Sequence, residues 1–290
     1  MKTNTKPSTT LPFELGDERS FGGLTLVPLF PRDEPKLEYV GLDEAVARGL
    51  VVTEVDAEAI VGELLVENPL DELVLLYEGE ELVGAKQNRI IQELTLVPAH
   101  SKARLPVRCV EAGRWSLRTP RFQPAAHAAY PSLRKESRMS QQAVWNEVAS
   151  KAQRLEAPSP TGAQEAIYVK RRATIDEYAA SLPRLHGQSG VLVGIGGKLV
   201  FVDYLSRSDV FAGLYSKLLR GYALEALETR VERPIDAREA RRFLADLETA
   251  SLRLDAGSAA GSRTELEGRV GGSTLHAHGE LVAVAAFPAA

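Results

Sequence analysis

Two observations place this chain in the α+β class: strand-like runs crowd its first third, and helical stripes followed by more strands fill the rest. "LTLVPLF", "GLVVTEVD", "AIVGELLVEN", "ELVLLY", "ELVGAKQNRIIQELTLV" and "ARLPVRCVEA" are short apolar or alternating runs, parted by turn signals such as "NPLD" and "PAHS". Successive hairpins of this kind predict an N-terminal antiparallel β-sandwich or barrel-like domain over residues 20–118, without parallel pairing. Asp43 to Arg48 is read as a short helical turn, closed by Gly49 because a residue without Cβ enters the left-handed C-cap conformation freely. The stretch "RTPRFQPAAHAAYPSLRKESRMS", with its prolines and small residues, predicts an extended connector over residues 119–139.

Residues 140–290 predict a smaller α+β domain. Val144, Val148 and Ala152, with Trp145 at the edge, form one helical stripe; Phe211, Leu214, Leu218 and Tyr222 form another behind Ser208 as N-cap. Thr161 with Gln164, Thr174 with Glu177 and Asp236 with Glu239 have capping-box spacing. "GVLVGIGGKLVFVDYL" reads as a hairpin turning at Gly196–Gly197. It is not a phosphate loop, because Leu192 and Leu199 stand where glycine and a hydroxyl residue are required. "SLRLDA", "ELEGRV", "STLHAH" and "ELVAVAAF" are the closing strands.

At 290 residues and 44% hydrophobic, the chain can bury a full core. No apolar run approaches a membrane span, and none follows Lys2 and Lys6 as a secretory signal requires. The lone Cys109 precludes an internal disulfide framework and suits a reducing compartment, so a soluble, cytoplasmic protein is expected. The net charge of −4 disfavours nucleic acid as a partner. Charge is nevertheless segregated: Asp33 to Glu81 is strongly acidic, and Ser101 to Ser140 is basic, so the two segments meet in the fold or the basic one meets an anion.

Most single motifs read as structure. His276 and His278 share a strand face, but only Glu280 is near enough to be a third ligand, so a hairpin tip is expected and no metal site. His100, His127 and His186 fall in turns or loops, and no Ser-His-Asp order is legible. Glu78, Glu80 and Glu81 of "YEGEEL" read as a solvated acidic turn. Cys109 is a possible reactive thiol, but inside an apolar strand it reads first as packing.

"GAKQNRI" is different. If Pro98–Ser101 is a four-residue hairpin loop, Leu96 faces Ala103, Ile90 faces Cys109, Asn88 faces Glu111 and Lys86 faces Gly113. Lys86, Asn88 and Glu111 then end an otherwise apolar row, with Gln87, Arg89 and Arg114 at its rim. Buried polar groups must be paired, since each left unsatisfied costs about 1–3 kcal/mol. The cluster is thus either a structural lock or a ligand site.

"EGEELVGAKQNRI" followed by "LVPAHSKARLPVRCVEAGRW" resembles the bacterial domain family named for its association with ADP-ribosylglycohydrolases and rhodanese-phosphatases; "SQQAVWNEVA", "SPTGAQEAIY" and "SKLLRGYALEALE" extend the resemblance over most of the chain. The resemblance implies no established reaction and no catalytic residue or cofactor. It implies company with enzymes of ADP-ribose metabolism, and hence a nucleotide-derived or phosphorylated ligand. The leading expectation is a ligand-binding accessory protein for an anionic, ADP-ribose-related small molecule. In it Lys86, Arg89 and Arg114 hold the anion, Gln87 and Asn88 orient it, and Trp115 stacks on a base or sugar. One alternative is a hydrolase acting on such a ligand, with Glu111 as acid or base beside Lys86 and Cys109 as a lesser candidate nucleophile. The other is an interaction scaffold that docks a protein partner through the basic connector.

Overall fold

Leu24–Pro31 (β3) is apolar on both faces, and such a strand must be covered on both. The computed structural model describes residues 11–55, 61–258 and 260–289, with backbone alone for 251–258. It sets β3 inside a nine-stranded antiparallel sheet, between β1 (Phe13–Leu15) and β13 (Gly190–Ile195), with β2 (Arg19–Phe21) also paired to β3. From β13 the sheet continues through β14 (Lys198–Leu205), β18 (Glu280–Pro288), β17 (Val270–Ala277), β16 (Gly261–Glu267) and β15 (Ser251–Ser258). Backbone pairing therefore joins stretches on both sides of residue 118.

A six-stranded sheet, curled as a half-barrel, runs in the order β12 (Phe122–Ala128), β8 (Glu80–Gly84), β9 (Arg89–Ile91), β11 (Ser101–Cys109), β6 (Glu63–Asn68), β5 (Val51–Glu54). A three-stranded sheet contains β10 (Thr95–Val97), β7 (Leu73–Leu76) and β4 (Tyr39–Gly41). The class is α+β with a strand-rich N-terminal half, as expected. One expectation fails: β4 and β7 run parallel, because helix α1 (Leu42–Ala47) with β5 and β6 forms a crossover between them.

The expected hairpin across Pro98–Ser101 is also corrected. Gln92–Leu94 leave the extended ladder, so pairing does not propagate; β10 turns to β7, and β11 pairs first with β6 and then with β9. At β9 the register is Arg89↔Cys109 and Ile90↔Arg108, one residue from that expected. The Gly196–Gly197 hairpin is present, both glycines at positive φ (61° and 80°), as its two-residue turn requires. His278 and Gly279 make the tip between β17 and β18.

The stretch expected as a connector forms β12 and helix α2 (Pro131–Ser137). Its small residues are the reason. They let helix α6 (Ser208–Ala226) approach so closely that a Cβ on Gly221 would lie 3.0 Å from the Ala129 carbonyl oxygen. The α6 stripe is buried as predicted, and fully buried Phe211, Leu218 and Tyr222 each contribute about 1.5–3 kcal/mol. Ser208 is the first helical residue rather than the cap. Ser140 caps α3 (Gln141–Arg154), and Asp236 caps α7 (Ala237–Thr249). Thr161 and Gln164 do not form a capping box before α4 (Glu165–Lys170), and Thr174 and Glu177 lie inside α5 (Arg172–Ser181). Among the described residues no helix is long and apolar enough to cross a membrane.

Candidate functional site

The chain leaves β8 at Gly84 (φ 127°) and Ala85 (φ 35°), the latter a conformation that L-residues rarely adopt. Arg114 holds this bend. Its Nη1 donates to the carbonyls of Ala85 (2.7 Å) and Ser116 (2.9 Å), and its Nη2 to the Gly84 carbonyl and Asn88 Oδ1 (both 3.1 Å). Its Nε donates to Glu111 Oε2 at 2.8 Å. Glu111 is fully buried, its Oε2 also accepting from the Asn88 N–H and its Oε1 from Thr161 Oγ1 at 2.8 Å. Burial alone would raise this carboxyl's pKa, but the hydrogen bonds of Arg114, Thr161 and Asn88 outweigh it and hold it below the ordinary value.

The bend also explains where the other expected residues go, because strand alternation stops at Ala85. Lys86 Nζ lies 5.5 Å from the Trp115 ring centre. Gln87 donates to the Glu111 carbonyl (2.9 Å) and accepts from Arg89 Nη1 (2.7 Å). Arg89 is fully buried 5.7 Å from the Trp115 ring centre, its Nε and Nη2 unpartnered among the described residues. Thus Gln87, Asn88, Arg89, Glu111 and Arg114 come together, while Lys86 joins them only through half-exposed Trp115, whose ring both Lys86 and Arg89 approach. Cys109 is buried, its thiol 3.7 Å from the Val61 carbonyl, and burial pushes its pKa up, away from the thiolate a nucleophile needs.

"YEGEEL" is not a solvated turn. Glu78, Glu80 and Glu81 are all buried, because β8 enters the centre of the molecule and cations on α2 and α6 meet it: Glu78 pairs with Arg134 and Arg138, and Glu80 with Lys217. Glu81 instead extends the polar cluster. Asn88 Nδ2 donates to Glu81 Oε1 (3.3 Å) and Glu165 Oε2 (3.4 Å); Gln164 Nε2 donates to Glu81 Oε2, which lies 2.8 Å from His127 Nε2. His127 sits in β12, not in a loop as expected, and stacks on Tyr168 with ring centres 3.7 Å apart. Tyr168 donates its hydroxyl to the Ala128 carbonyl at 2.6 Å.

This chain of contacts, Arg114–Glu111–Asn88–Glu81–His127, ends at a recess of about 250 Å³ whose lining includes His127, Glu165, Tyr168, Arg172 and Arg220. Arg220 pairs with Asp176 at 2.7 Å, whereas Arg172 is exposed and has no hydrogen-bond or ion-pair partner among the described residues. The sequence reading missed Glu81, His127, Tyr168 and Arg172. The signal for one pair was present: Gln164 and Tyr168, four apart, share the face of α4 that meets β12. His127 carried none, since its strand hides among alanines and prolines. Among the described residues no group of three or more His, Cys, Asp or Glu is placed to hold a metal ion.

The family model described as "ARG and Rhodanese-Phosphatase-superfamily-associated Protein domain" (ARPP-1) matches residues 12–287. The chain belongs to the ARPP-1 family. The ARPP-1 match spans every element of the polar chain and the recess, from β8 through β12 to α5. Comparisons with curated proteins and with solved structures return no match.

Proposed function

We propose that this ARPP-1 protein binds a phosphorylated small molecule, nucleotide- or ADP-ribose-related, in the recess between β12 and α4–α5. The observation that carries the reading is the lining: Arg172 is a guanidinium without a counter-ion, beside a second arginine and an aromatic stack. A planar guanidinium suits phosphate oxygens by charge-assisted, bidentate hydrogen bonds. The buried chain from Arg114 to Glu81 fixes the floor of such a site, as a binding constellation requires. The family's association with the rhodanese-phosphatase superfamily, as its description has it, agrees with a phosphorylated ligand. An ADP-ribosylglycohydrolase association, and a bacterial setting, belong to the same proposal. Binding is favoured over hydrolysis by Glu111, because that carboxylate is sealed and its pKa is held down by three donors.

The test is a thermal-shift screen of phosphorylated metabolites, including ADP-ribose and sugar phosphates, with calorimetry of each hit on wild type and Arg172→Ala. A ligand present at a hundred times its Kd stabilises the native state by about 2.7 kcal/mol. The reading predicts a phosphorylated hit whose affinity falls in Arg172→Ala; hits indifferent to that substitution, or no hit, contradict it.

A further inference from the structure

We propose that the group seated in this recess is a sugar phosphate, alone or as the end of a longer ligand, and that His127 Nδ1 accepts a hydrogen bond from one of its hydroxyls. The proposal rests on the anion-binding reading above and adds what the rest of the ligand must be. Glu81 decides the state of the imidazole. Its carboxylate already takes N–H groups from Asn88 Nδ2 and Gln164 Nε2, and the ring atom facing it at 2.8 Å is His127 Nε2. A carboxylate accepts, so Nε2 carries the hydrogen, and in the neutral ring Nδ1 keeps the lone pair.

No hydrogen bond reaches Nδ1 from the described residues, although the ring lines the recess and is fixed in orientation by its stack on Tyr168. Glu165 is a second acceptor in the same lining, held from behind by Asn88 Nδ2 at 3.4 Å. Two acceptors and two guanidinium groups thus share one small space. Hydrogen phosphate would use the cations and, with the single O–H of its dianion, meet one acceptor at most; a sugar phosphate offers several hydroxyl donors to one set and phosphate oxygens to the other. The recess, about 250 Å³, is small beside the roughly 300–1,000 Å³ usual for drug-sized ligands and suits one sugar phosphate, alone or as the end of something longer.

The experiment is calorimetric titration of the full chain at about pH 8, where an ordinary imidazole is neutral, with ribose 5-phosphate and with methyl phosphate. Wild type should bind ribose 5-phosphate about three- to tenfold more tightly, the increment of one or two neutral hydrogen bonds. In His127→Gln the amide N–H still reaches Glu81 but no acceptor stands at the Nδ1 position. That variant should lose the preference, binding the two probes with equal affinity, and Arg172→Ala should weaken both. Equal affinities on wild type, or a preference that survives in His127→Gln, overturn the sugar assignment and leave the anion site standing. No binding of either probe overturns both. If His127→Gln does not fold, the comparison of the two probes on wild type still decides.

Discussion

Two buried polar networks start within four residues of each other on the approach to β8, and they end differently. From Glu78 the first runs to Arg134, which is 1% exposed, stacks 3.9 Å from the Phe201 ring centre and grips Asp203 through two bonds of 2.7 and 2.9 Å. Tyr77 and Tyr222 donate their hydroxyls to the same Asp203. Every charge there meets another charge, and the network is sealed between the nine-stranded sheet, α2 and α6. From Glu81 the second network runs outward and stops at a recess with an unpaired guanidinium on its wall. Burial of charge alone therefore does not single out a site in this molecule; the open end of the second network is what the proposed site rests on.

The sharpest contrast should appear in stability. Arg134→Met strands Asp203 among apolar residues and two tyrosines, so a loss of about 3–5 kcal/mol in denaturant unfolding is expected. A loss under about 1 kcal/mol would remove the first network from the list of structural locks. Arg114→Ala should follow at about 2–4 kcal/mol, since it takes the buried counter-ion from Glu111 and a guanidinium donor from the carbonyls of Gly84, Ala85 and Ser116, while Glu111→Gln should lose less.

The same pair has a pH signature. Glu111 has a folded-state pKa below its unfolded value of about 4.5, so its contribution is complete above that pH and disappears as pH falls through the depressed folded value. Unfolding midpoints measured from pH 6 down to about pH 3 should therefore fall less steeply in Glu111→Gln than in wild type. Parallel slopes would contradict the assignment of Glu111 as the anchored carboxylate.

Smaller effects separate the two ends of the second network. Arg172→Ala should leave stability within about 0.5 kcal/mol of wild type yet weaken binding of a phosphorylated ligand about tenfold or more. Trp115→Ala removes only the half-exposed stack with Lys86 and Arg89, about 0.5–1 kcal/mol, and should leave ligand affinity unchanged in calorimetry. A drop in affinity would move the site back to Trp115.

Legibility in the sequence followed the range of the forces involved. Local signals were readable: the α6 stripe, the Gly196–Gly197 turn, the Val144–Val148–Ala152 stripe of α3 and the tip at His278 each depend on neighbours a few residues apart. The importance of Asn88, Glu111 and Arg114 was also readable, because such side chains in an apolar setting demand partners. What those partners were was not. Lys86 was expected on the same inward face as Glu111 by strand alternation, which Ala85 breaks by turning to positive φ, and Arg114, three residues from Glu111, pairs with that carboxylate instead. The buried state of Glu78 and Glu80 depends on cations about 50 to 140 residues away, Arg134, Arg138 and Lys217, and that of Glu81 on His127 and Gln164; no local pattern reports such distances. His127 lay hidden for the opposite reason: small residues around it permit a close helix contact and resemble a linker.

The placement of the ligand is tested most directly by hydrogen–deuterium exchange on the full chain with and without ribose 5-phosphate. Protection confined to residues 124–128 and 165–172 is the expected result. Protection at residues 86–89 and 114–118 instead, or none anywhere, would contradict a site at the open end of the Glu81 network.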